Sequence, residues 1–61
     1  MKLMILDNVI LEDEDDGIIY TKQKILRIEN NNEVIYFDLI DFRINTYNVI
    51  VTEKTKILEV F

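Results

Sequence analysis

Cysteine, histidine, serine, alanine, proline and tryptophan are all missing from this chain, and glycine occurs once. Each absence removes a class of chemistry. Without cysteine or histidine there are no disulfides and none of the usual zinc sites. Without histidine, cysteine or serine, the common catalytic triads, thiol nucleophiles and imidazole acid–base pairs have no members to assemble. Paired carboxylates remain as acid–base candidates, but an exposed acidic run has nothing to desolvate one member and raise its pKa. A non-enzyme is therefore expected, without a cofactor or a specific metal site.

Long apolar runs are scarce as well. Lys2 is followed by only four apolar residues before Asp7, and no uninterrupted run is longer. Neither a secretory leader nor a membrane span is expected from such short runs. The default expectation is a soluble cytoplasmic protein, with which the lack of cysteine agrees.

The chain does have core material. Isoleucine, valine, leucine, methionine, phenylalanine and tyrosine bring the hydrophobic share to 49% of 61 residues, which argues against intrinsic disorder. The length suits one domain, residues 1–61. A domain this small buries only roughly 60% of its unfolded surface, and such domains usually add disulfides, a metal or oligomerisation. With the first two excluded, a dense core or a second chain has to supply the stability.

Charge is distributed unevenly. From Met1 to Gly17, Lys2 stands alone against Asp7, Glu12, Asp13, Glu14, Asp15 and Asp16, so this quarter carries the whole net charge of −5. From Ile18 onward, acids and bases balance. Consecutive carboxylates repel one another, and the run Glu12 to Asp16 is expected to stay exposed and solvated.

The apolar residues fall in short bursts of β-branched and aromatic types, separated by Asn, Asp, Gly and Lys/Thr clusters, which is the punctuation of strands. Leu3 to Leu11 reads as one strand or as two pivoting at Asp7-Asn8. Gly17 reverses the chain after the acidic run, with a bulge or bend at Thr21 to Lys24. Asn30-Asn31-Asn32 marks a hairpin turn between Ile25–Ile28 and Val34–Phe37, because Asn tolerates the left-handed region. Ile40 to Asn45 alternates cleanly and reads as a strand, although Leu39 to Ile44 also suits a short turn. Tyr47 to Thr52 and Ile57 to Phe61 complete the set around a polar turn at Glu53 to Lys56. No capped helical stripe is present. The expected fold is all-β, a small antiparallel meander of five to six short strands forming a closed or partly closed barrel.

Over Ile18 to Phe61, the order of Ile18-Ile19-Tyr20-Thr21-Lys22 through Ile28, Val34 to Phe42, and Asn48 to Phe61 is similar to the strand rhythm of bacterial pleckstrin-homology-like domains. No residues match the helix that caps those domains, and no function is carried over from the resemblance.

Two features point to partners. Leu3-Met4-Ile5-Leu6 and Val34-Ile35-Tyr36-Phe37 are apolar on both faces, which a sheet with one solvated face would avoid. A homo-oligomer burying part of either strand is expected. The acidic run is the other feature. Glu12-x-Glu14-x-Asp16-Gly17 follows the outline of a Ca²⁺ loop, with Ile19 at its apolar position. However, the closing bidentate position falls on Gln23, and the first two acids are Glu. Direct nucleic-acid binding is disfavoured by a concentrated field of the wrong sign, so Tyr20, Tyr36 and Tyr47 read as core or rim residues. The expected function is an acidic protein-binding module. In it Glu12, Asp13, Glu14, Asp15 and Asp16 imitate a phosphate row on a basic, nucleic-acid-binding protein surface, and Leu11, Ile18, Ile19 and Tyr20 supply apolar anchors. Tiny inhibitors of phages and mobile elements show a similar economy of size and charge. The alternative is a structural protein that self-associates through its strands, its acidic loop only solubilising.

Overall fold

The structure is a computed structural model covering residues 1–61. It is all-β, with eight strands: β1 (Lys2–Asp7), β2 (Val9–Asp13), β3 (Ile18–Lys22), β4 (Ile25–Asn30), β5 (Glu33–Asp38), β6 (Arg43–Ile44), β7 (Asn48–Ile50) and β8 (Lys56–Val60). They form two antiparallel sheets, ordered β6-β5-β4-β1-β8 and β3-β2-β7. There is no helix to cross a membrane.

The count exceeds the expected five or six because two long strands are bent at corners, and each of these serves both sheets. The first passes from β1 to β2 at Asn8 (φ 56°) and the second from β3 to β4 at Lys24 (φ 55°). The chain likewise changes sheets between β7 and β8, through the expected polar turn, in which Thr55 N–H donates to the Thr52 carbonyl at 3.1 Å. The corners are tied together. The Thr55 hydroxyl donates to the Asn8 carbonyl at 2.9 Å, and Leu39 N–H donates to the Lys24 carbonyl at 3.1 Å. Asn8 takes the left-handed conformation at lower cost than most side chains, which suits it to the corner. Lys24 has no such excuse, and its strain is held by the surrounding pairing.

The core lies between the sheets near these corners. Leu6, Val9, Leu11 and Ile25 are buried, with Met4, Tyr20, Tyr36, Tyr47 and Val49 packed around them. Tyr20 and Tyr47 meet edge to face with centroids 6.0 Å apart, an arrangement aromatic rings favour.

Of the two readings of Leu39 to Asn45, the strand over Ile40 to Asn45 is corrected and the short turn is the one that forms. Leu39 to Phe42 is a turn, and only Arg43–Ile44 pairs as a strand. The cause is Asp38, whose Oδ1 accepts from both Ile40 N–H and Asp41 N–H at 2.9 Å. A side chain that captures two backbone donors diverts them from a ladder. With β6 so short the sheets do not close into a barrel, and a cleft of about 280 Å³ opens among Leu11, Tyr20, Asp38, Arg43 and Tyr47.

Candidate binding surface at the acidic hairpin

The acidic run is the tip of the β2–β3 hairpin. Register pairs Leu11 with Tyr20, Glu12 with Ile19 and Asp13 with Ile18. The turn closes by Gly17 N–H donating to the Asp13 carbonyl at 2.8 Å, with Gly17 at φ 67°. Asp13 Oδ1 also accepts from Asp15 N–H at 3.1 Å, the side-chain turn that aspartate favours.

The five acids do not share one environment. Glu14, Asp15 and Asp16 are exposed on the turn, whereas Glu12 and Asp13 lie within β2 and are half-buried. The uniformly solvated loop expected from sequence is therefore a three-carboxylate turn continued by two strand residues. Alternation of β2 sends Glu12 and Asp13 to opposite faces of the hairpin.

The apolar companions divide as well. Ile18 and Ile19 are 51% and 62% exposed beside the acids, because the hairpin overhangs the core. Tyr20 and Leu11 instead pack in the core. Burial, with Tyr47 alongside, pushes the Tyr20 phenol above its ordinary pKa. The tip thus presents Glu14 to Asp16 with Ile18 and Ile19, and Tyr20 supports it from beneath.

No basic residue neutralises the tip. Lys22, the nearest base along the hairpin, is held by Asp41 at 2.8 Å and Asp38 at 3.1 Å, and Arg27 pairs with Glu29 at 3.4 Å. These complete the ion pairs of the chain, and none includes a residue of the run. Hydrogen bonds to Asp41 and Asp38 raise the Lys22 pKa, so its charge is committed there.

Sequence reading missed Asn48, whose side-chain amide donates to Glu14 Oε1 at 2.7 Å from β7. With Thr46 and Tyr47 it helps line a shallow acidic groove of about 160 Å³ along Glu12 to Asp15. Nothing in the chain order signals this contact, which depends on β7 pairing with β2. The acids do not converge as a set of three or more suited to a metal ion. The chain matches no protein-family model, no curated protein and no solved structure.

Proposed function

We propose that the protein is a non-catalytic binding module whose β2–β3 hairpin docks on a basic protein surface of the kind that holds nucleic acid, as an inhibitor would. One observation carries the reading. The hairpin tip carries exposed acids without a counter-ion, flanked by two exposed isoleucines, on an overhang tied to the body by the Asn48–Glu14 hydrogen bond. Unneutralised carboxylates speed encounter with a cationic groove, and Ile18 and Ile19, on opposite faces of the hairpin, supply apolar contacts to the two walls of that groove.

Neutralising Asp13, Glu14, Asp15 and Asp16 to Asn or Gln tests it. Pull-down from the native host at low and high salt should capture a nucleic-acid-binding protein in a salt-sensitive manner. The neutralised variant should bind that protein at least about tenfold more weakly, a loss of about 1.4 kcal/mol, while its circular dichroism stays unchanged. Undiminished capture by the variant would refute the proposal.

A further inference from the structure

The five-stranded sheet has two faces, and apolar residues cross the outer one as well as the one that meets the core. Two rows cross the face turned away from β3-β2-β7. In the first, Glu59 stands at the β8 edge opposite Ile5, Ile5 pairs with Leu26, Leu26 with Phe37, and Phe37 with Ile44. In the second, Leu3 pairs with Ile28 and Ile28 with Ile35. Phe61 extends this row, its N–H donating to the Leu3 carbonyl at 3.0 Å. At the same level of β1 and β4, the face turned toward the other sheet mixes Lys2, Arg27 and Glu29 with Met4, which packs on the core. This half of the sheet is therefore apolar on its outer face as well as in part on its inner one, where a sheet with a solvated face would carry polar residues outward.

We infer that a second copy of the chain covers this outer face, the two five-stranded sheets packing face to face about a two-fold axis. The area fits such an occupant. Ile35, Ile44, Phe42 and Phe61 are 44%, 62%, 79% and 65% exposed, and Leu3, Ile5, Leu26, Ile28 and Phe37 are half-buried. Together they expose on the order of 600 Å² per chain, at the upper end of what a monomer leaves in its largest patch and a large part of the ~800 Å² each partner gives a standard interface.

The face also has the anatomy of an interface. Asp7 and Lys56 border it on one side, Asn30 and Glu33 on the other and Glu59 at the β8 edge, a polar rim around an apolar centre. Phe42 sits at its margin at φ 55°, with its ring edge-on to Phe37 at 5.3 Å. A bulky residue strained into that conformation while mostly exposed gains little in a monomer.

A second copy is favoured over other occupants on two further counts. Only four hydrophobic residues are buried in one chain, and its surface of 4611 Å² exceeds the ~4,200 Å² expected for this mass. Self-association supplies the missing burial from the same sequence. The acidic run sits on the hairpin of the other sheet, away from this contact. Edge-to-edge pairing is the poorer route, because β6 has two residues and the β1–β8 register is bulged between Ile5 and Leu6.

Light scattering from micromolar to submillimolar concentration should give twice the 7.3 kDa of one chain, falling toward 7.3 kDa on dilution. Ile35→Glu and Ile44→Lys should each give 7.3 kDa at concentrations where the parent is dimeric, and Ile19→Glu on the acidic hairpin should leave the doubled mass intact. Because the chain lacks cysteine, Ile28→Cys provides a single reporter thiol. It should resist maleimide in the dimer and react at least about tenfold faster on dilution, with circular dichroism unchanged, even if Ile35→Glu fails to fold. A mass of 7.3 kDa throughout that range, whatever else binds the face, would overturn the assignment. So would a doubled mass that survives Ile44→Lys with the Ile28→Cys thiol freely reactive.

Discussion

Asp38 is charged, 5% exposed and satisfied on all sides, accepting from Ile40 N–H, Asp41 N–H and the Lys22 ammonium. Burial alone would raise its pKa. The Asp41 N–H, Lys22 and the Ile40 N–H outweigh burial and hold the carboxyl below its ordinary value. A folded-state pKa below the unfolded value stabilises the protein above about pH 4, and that stability is lost as pH falls through the lowered pKa. Asp38→Ala should cost about 1–3 kcal/mol in urea denaturation at pH 7, because two backbone donors and an ammonium lose their acceptor. Asp38→Asn keeps an oxygen for the two N–H groups, should cost less, and should flatten the loss of stability on acidification. Equal costs for the two variants would mean that the turn does not depend on those bonds. Lys22 has the opposite sign: its raised pKa gives stability that is present below about pH 10.5 and declines as pH rises through the shifted value.

At the scale of elements, turn chemistry was the most legible part of the sequence. Asn31 and Asn32 take φ of 49° and 71° between β4 and β5, with Asn30 paired to Glu33, the two-residue turn whose twist matches its strands. Glycine occupies the second of these positions without a Cβ penalty, so Asn32→Gly should raise stability by a few tenths to about 1 kcal/mol. A lower melting temperature for that variant would count against the turn. Asn8→Val should be destabilising by about 1–2 kcal/mol, since a β-branched residue resists the conformation that bends β1 into β2. Gly17 and the two possible pivots, at Asn8 and near Lys24, were also readable, because each depends on a residue's own conformational range or on a lapse in the apolar pattern. Between Leu39 and Asn45 the turn prevails over the strand reading for a different reason. The alternation of Ile40 to Asn45 is genuine, but Asp38 binds the two N–H groups a strand would use, and alternation carries no information about that competition.

Over the whole molecule, two surfaces stand apart: an acidic hairpin on the small sheet and an apolar face on the large one. They make separable predictions. Neutralising Asp13 to Asp16 should remove partner binding and leave the doubled mass, whereas Ile44→Lys should remove the doubled mass and leave the acidic tip unchanged. Loss of both properties in one variant would show that the hairpin and the sheet face act as one site. The thermal midpoint should also rise with protein concentration, since dimerisation stabilises only the folded chain.

The sequence by itself determined that the chain is all-β, where several of its turns fall, that common nucleophilic and imidazole catalysis has no residues to use, and that its charge excess belongs to the first quarter. These follow from side-chain type and local spacing, which act over a few residues. It also marked Leu3–Leu6 and Val34–Phe37 as apolar on both faces, without saying where each face goes. Only the tertiary structure decided that. Pairing of β1 with β4 and β4 with β5 gathers Leu3, Ile5, Leu26, Ile28, Ile35 and Phe37 onto one uncovered face, and the corner at Asn8 sends Leu6, Val9 and Leu11 into the core. It also reduced the acidic loop to a three-residue tip on two half-buried strand acids, tied through Asn48 to β7. Register and bend angle set these outcomes, because they depend on which strands meet, and strand partners are fixed by contacts between residues far apart in the chain.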